Sequence, residues 1–366
     1  MMERDDLFKI TIDPVDADYI KRCKKRWDLI SKPLDGLGDF EEVICRIGGI
    51  RKTDAPDIGR RAAVIMCADN GIVDENISQS DKSITLAVTE AIGKGIGTSS
   101  TLARFCGADV VAVDVGIDTD CDIPGVKIKR VRRGTGDFLI CPAMEEREAL
   151  KAISIGIDEA FYLSEKGYDI LAAGEMGIGN TTTSAAVLSS LLDIDSEKIV
   201  GRGSGLDDER LLNKRRVVRE GVSKYRDYIS ALCENSKAPG KTKAFETLRC
   251  LGGLDIAALT GLFIGGAMCH IPVIIDGFIS ATAALLSDEI VPGCRDYMIA
   301  SHSGKENGTS LALKKLGLKS LIDGNMALGE GSGALMLLPL LDMSLDFYKN
   351  AARFEDYRIE KYERFN

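Results

Sequence analysis

Four segments of this 366-residue chain share one design: a short apolar run, bounded by glycine, that carries a carboxylate at or near its end. They are RAAVIMCADNG (61–71), ADVVAVDVG (108–116), YDILAAGEMG (168–177) and IPVIIDG (271–277). Runs that stay apolar through both faces of the pleat are the pattern of strands buried on both sides of a sheet. Each is followed by a stretch with helical character, at 82–92, 145–166, 180–192 and 279–287. This alternation predicts an α/β fold, a three-layer α/β/α arrangement around a parallel sheet. Ligands of such sheets bind beyond the carboxyl ends of the strands, so Asp69, Asp114, Glu175 and Asp276 are expected to line one cleft.

The length and a 45% hydrophobic content allow one large core with a small accessory. The division expected is a core over 41–340 and a small helical subdomain from residues 1–40 together with 341–366, the charged and aromatic ends of the chain. A net charge of −9 argues against a polyanionic partner, and the single cationic cluster, KIKRVRR at 127–133, is too short to reverse that. Neither nucleic acid nor membrane is expected as a partner. Ten cysteines are scattered without a CxxC pair or a Cys/His grouping at zinc spacing, which reads as reduced thiols in a cytoplasmic protein with no metal.

Glycines mark where backbone must approach a ligand. GEMGIGNTTTSAA (174–186) sets a glycine-rich turn between a strand and a helix, with Asn180 and Thr181 at the helix start, where unpaired N–H groups can receive a phosphate. It lacks the Lys-Ser/Thr ending of a Walker A loop and the spacing of a dinucleotide fingerprint. A second loop, GRGSGLDDERLLNK (201–214), brings Arg202, Ser204 and Lys214, the last a mobile cation for the same anion. The cluster SHSGKENGTS (301–310) contains His302, read as a hydrogen-bonding scaffold in preference to an acid or base; His270 reads as a core or strand-edge residue. Two readings are open for Glu330 in LGEGSGALMLLPLL (328–341): an accessible base in the first turn of a helix, or an acidic cap stabilising that helix.

Six segments in this order, the two glycine loops, LGGLDIAALTG (251–261), DGFISATAALL (276–286), SHSGKENG (301–308) and LGEGSGALMLLPLL, resemble the nicotinate-nucleotide:dimethylbenzimidazole phosphoribosyltransferases. The resemblance spans about 40–345 and implies a homodimeric α/β protein with a parallel, Rossmann-like sheet and a small helical domain from both chain ends. It implies transfer of the phosphoribosyl group of nicotinate mononucleotide to an aromatic lower-ligand base such as 5,6-dimethylbenzimidazole, for cobamide assembly, without metal or cofactor. By resemblance Glu330 is the general base and Glu175 lies beside the ribose. Lys214, Gly177, Gly179, Asn180, Thr181, Gly203, Ser204 and Gly205 would hold the phosphate, with Asp276 and Ser303 nearby. The loop after the first strand, which borders the acceptor, departs from the family: ADNG (68–71) and SQSDK (78–82) stand where GDHG and SAYPQ are usual, placing Ser78 and Lys82 at the acceptor. A phenol-activating subunit of a heterodimer and a catalytically silent nucleotide-binding regulator are the alternatives.

Overall fold

The computed structural model describes residues 2–203 and 205–364. Eight strands run β1 (Arg61–Ala68), β2 (Asp109–Gly116), β3 (Lys127–Ile128), β4 (Ile170–Met176), β5 (Val273–Ile275), β6 (Met298–Ala300), β7 (His302–Gly304) and β8 (Ile322–Met326). The helices are α1 (Arg4–Lys9), α2 (Ala17–Trp27), α3 (Asp39–Ile50), α4 (Ser83–Gly93), α5 (Thr98–Cys106), α6 (Glu146–Glu165) and α7 (Asn180–Leu192) in the first half. The second half adds α8 (Asp208–Glu234), α9 (Pro239–Leu251), α10 (Leu254–Met268), α11 (Phe278–Ile290), α12 (Asn307–Leu316) and α13 (Ser332–Asn350). The expected α/β architecture is present, with the four apolar runs forming β1, β2, β4 and β5.

These four strands, with β3 and β6, make one six-stranded sheet in the order β3-β2-β1-β4-β5-β6, every neighbouring pair parallel. The order reverses between β1 and β4, the point where the loops leaving two adjacent strands diverge and open a crevice. All eight residues of β1 are buried. Ala62, Val64 and Met66 join one apolar cluster with α6, α10 and α11, whereas Ala63, Ile65 and Cys67 join another with α3 and α13. Period-two alternation therefore feeds two cores, which is why the strand sequence shows no polar face.

The chain ends meet beside the second core. Trp27 is fully buried, stacks on Phe347 and packs at 4.9 Å against Tyr348, and Ile30 bridges to Arg353. Helix α1 packs elsewhere, with Leu7 in the first core, Phe8 against Phe245 and Arg4 paired to Glu246. Helix α13 runs unbroken from the site into the terminal cluster, which we propose as the helical subdomain. Four of the five cations of the KIKRVRR segment are paired in place: Lys127 with Glu159, Arg130 with Asp114, Arg132 with Glu148 and Arg133 with Asp120.

Candidate active site

Beyond the carboxyl end of β4 lies a cavity of about 260 Å³, reached by residues from six separate parts of the chain. Its walls include Ser78, Glu175, Gly177, Gly179, Asn180, Thr181, Gly203, Lys214, Asp276, His302 and Glu330. Apolar side chains, among them Ile77, Val88, Met176, Leu206 and Leu328, make up much of the remainder.

The anion-binding end is built from the two glycine loops. Helix α7 begins at Asn180 behind Gly179, whose φ of +93° suits a residue without Cβ. Lys214, on α8 and 1% exposed, donates from Nζ to Thr181 Oγ1 at 2.7 Å. A Cβ on Gly203 would lie 3.2 Å from that hydroxyl and 3.3 Å from Nζ, so loop, helix start and lysine converge on one point. Burial lowers Lys214 to about 8, with Glu306 acting against the shift. A buried ammonium with one neutral partner is a group prepared for an anion. Ser204 lies outside the described residues. Gly205 stands off the cavity wall, its carbonyl accepting from Gln79 Nε2.

Glu330 occupies a different local structure from the expected one. Helix α13 starts at Ser332, so Glu330 precedes it, with φ +57° between Gly329 at +82° and Gly331 at +75°. Three successive left-handed residues form a tight turn laid on β4: a Cβ on Gly174 would come within 2.9 Å of Gly331 N. The dipole facing its carboxylate belongs to α5, since Glu330 Oε2 accepts from the backbone N–H of Ser99 at 3.3 Å. The acidic cap of α13 is supplied by Asp276, whose Oδ1 accepts from Gly333 N at 2.6 Å and Ala334 N at 3.1 Å. Burial raises Asp276, opposed by His302 and these N–H groups.

Glu175, at the end of β4, is buried and raised to about 8, first by desolvation and then by Asp255, with Asp276 and Glu330 adding to the shift. Asn180 Nδ2 donates to its Oε2 and lowers it. At neutral pH in the free protein Glu175 is therefore mostly protonated, unlike an ordinary glutamate. His302 shares a hydrogen bond at 2.9 Å with Ser301 Oγ, which itself donates to the Asp276 carbonyl, in keeping with a scaffold. His270 bonds Tyr297 at the sheet edge.

Several expected positions fall elsewhere. Ser303 alternates with His302 and Gly304 along β7, so when those two face the cavity its Oγ points away and donates to Asp323 at 3.0 Å. Lys82 is drawn to Asp74 at 3.1 Å and is absent from the cavity wall. Asp69 and Asp114 do not reach the cleft: Asp69 accepts from Asp118 N at 2.8 Å, and Asp114 caps Gly116 and Ile117 and binds Arg130. Both carboxylates fix strand-end loops. Residues missed by the sequence reading include Asp255, Ser99 and Glu306. Asp255 carried a signal, because between Arg249 and Asp276 it is the only Asp, Glu, Lys or Arg.

The similarities to known proteins extend over nearly the whole chain. A family described as phosphoribosyltransferase matches residues 12–359. The nicotinate-nucleotide:dimethylbenzimidazole phosphoribosyltransferase of Ruminiclostridium cellulolyticum is 40% identical over 353 residues, covering 96% of this chain and 97% of that one. Its counterpart from Acetivibrio thermocellus is 40% identical over 340 residues, 93% of each chain. The crystal structure of CobT from Thermus thermophilus superposes with a TM-score of 0.86 at 32% identity, over 94% of this chain and 99% of that one. With the sheet, the two glycine loops and the carboxylate-lined cavity all in place, the chain belongs to the nicotinate-nucleotide:dimethylbenzimidazole phosphoribosyltransferase family.

Proposed function

We propose that the protein transfers the phosphoribosyl group of nicotinate mononucleotide to an aromatic lower-ligand base, 5,6-dimethylbenzimidazole or a close analogue, with Glu330 as general base. The observation that carries this reading is the buried Lys214–Thr181–Gly203 corner on the same cavity wall as an accessible carboxylate, Glu330. A 5′-phosphate held at that corner, with Gly177, Gly179, Asn180 and Gly203 around it, would fix C1′ against the nucleophile.

A ring nitrogen lone pair of the base attacks C1′, and the C1′–N bond to nicotinate breaks. Its electron pair leaves with the pyridine nitrogen, which becomes neutral. The proton on the other ring nitrogen passes to Glu330, so positive charge does not accumulate on the product. Glu175, protonated, serves as a hydrogen-bond donor toward the ribose instead of the carboxylate expected from sequence. The apolar wall near Ser78, Val88 and Leu328 accommodates the flat acceptor.

We place homodimer formation and a cytoplasmic location with this proposal. Phe105 on α5 and Met336 and Met343 on α13 are exposed apolar side chains on packed neighbouring helices, and all ten cysteines are unpaired. Light scattering of the purified protein reports the dimer; a monomeric mass contradicts it. The activity is tested by incubating the protein with nicotinate mononucleotide and a panel of benzimidazoles, purines and phenols, then identifying products by mass. Release of nicotinate with formation of a new riboside phosphate is expected. An untouched mononucleotide across the panel would refute the assignment.

A further inference from the structure

The two carboxyl oxygens of Glu175 meet different surroundings. Oε2 accepts from Asn180 Nδ2, and the same Nδ2 donates to Asp255 Oδ2 at 3.1 Å. Oε1 lies 3.0 Å from where a Cβ on Gly329 would stand, facing the turn that carries Glu330. Asp255 sits in the first turn of α10, fully buried and behind the cavity wall, and its Oδ1 accepts from Ile256 N at 2.9 Å. Glycine backbone packs tightly around it: a Cβ on Gly177 would come 2.8 Å from Oδ2, and one on Gly253 2.4 Å from Oδ1. A fully buried carboxylate in an otherwise apolar helix is costly even with these N–H partners, and a role for it is called for.

We propose that Asp255 is a positioning residue for the transfer reaction: by accepting one N–H of Asn180 it holds that amide nitrogen-first against Glu175, so that the Glu175 proton resides on the oxygen facing the Glu330 turn. An amide nitrogen has two hydrogens, and here each has one carboxyl acceptor. With Oε2 engaged as an acceptor, the carboxyl proton belongs on Oε1. The O–H then points into the cavity, available to a substrate oxygen, while Glu330 takes the proton of the incoming base. Two carboxyl groups are given separate tasks by their environments.

The electrostatics agree. The charged groups facing Glu175 are Asp255 from α10, Asp276 from the end of β5 and Glu330 from the turn before α13, and Asn180 of α7 is its donor. The neighbouring thiol of Cys67, on β1, is held neutral by burial. Desolvation raises Asp255 to about 6, below Glu175 at about 8, so near neutral pH the first is mostly an acceptor and the second mostly carries a proton.

This inference rests on the phosphoribosyl-transfer reading, and its test separates the two. Asp255→Asn keeps the size of the side chain and an oxygen for Ile256 N–H, but turns an N–H toward Asn180. That amide must then flip and present its oxygen to Glu175, moving the carboxyl proton to Oε2. The expected result is a kcat lowered about 10- to 10²-fold with the KM for nicotinate mononucleotide within about twofold. In isotope-edited infrared spectra of the free protein the carbonyl band of protonated Glu175 should move, because Oε2 no longer accepts an N–H, and its titration should shift to lower pH, the lost like charge of Asp255 outweighing the lost Asn180 donation. Asn180→Ala, which removes the bridge, should lower kcat in the same way. A Glu175 titration and a kcat both at wild-type values in Asp255→Asn would overturn the proposal, as would losses tracking a fallen melting temperature with an unmoved titration. Because the titration needs no substrate, absence of transfer by the wild-type protein would overturn the functional reading alone.

Discussion

The backbone N–H of Ser99 donates to Glu330 Oε2 at 3.3 Å, joining residues 231 positions apart. It makes α5, on one side of the sheet, the element that aims a carboxylate carried by the turn before α13. Glu330→Asp keeps the charge and withdraws it by one methylene, so this contact and the reach into the cavity are both lost. Steady-state kinetics should show kcat lower by about 10²-fold with the KM for nicotinate mononucleotide little changed.

The conformation of Glu330 carries its own signature. At φ +57° between two glycines it holds a geometry that disfavours any side chain with a Cβ by about 1–2 kcal/mol. Glu330→Gly should therefore be more stable than Glu330→Ala by about 1 kcal/mol, the reverse of the usual order of the two residues. Denaturant titration of the two inactive variants measures the difference.

Protonation of the site feeds into stability. Glu175 moves from an ordinary 4.5 to about 8 on folding, so the folded state holds its proton more tightly. Its contribution is fully present below pH 4.5 and is lost as pH rises through 8. Lys214 moves from 10.5 to about 8, so its contribution is present above 10.5 and is lost as pH falls through 8. The stability of wild type relative to Glu175→Gln should decline steadily from pH 5 to 8, as read from chemical denaturation at a series of pH values. A flat difference would remove the buried, protonated state of Glu175.

Lys214 separates binding from folding. Lys214→Met removes a cation that the fold buries against a single hydroxyl, so stability should hold or rise. Loss of a charged hydrogen bond to the phosphate, about 1.5–3 kcal/mol, should raise the KM for nicotinate mononucleotide by about 10- to 10²-fold. Calorimetric melting and initial rates on the same preparation check both.

The strand ends, the helices that follow the apolar runs and the glycine loops were legible because each is a local pattern, apolar runs and helix starts written over ten or so residues. Lys214 followed from the same loops, since a cation just past a glycine turn has few places to go. What local pattern could not supply was direction. Ser303 lies in the right segment but on the wrong side of a period-two strand. Asp69 and Asp114 end buried strands as Glu175 and Asp276 do, yet bind the loops beside them. The dipole facing Glu330 comes from a helix far away in sequence, and Asp255 shows its purpose only once Asn180 is seen between two carboxyls.

The role of Glu330 is tested most directly by turnover of Glu330→Gln beside the wild-type protein, with nicotinate mononucleotide and 5,6-dimethylbenzimidazole as substrates. Glutamine keeps an oxygen for Ser99 and cannot take a proton. The account predicts near-normal mononucleotide binding with kcat reduced about 10²- to 10⁴-fold. Turnover equal to wild type would contradict it.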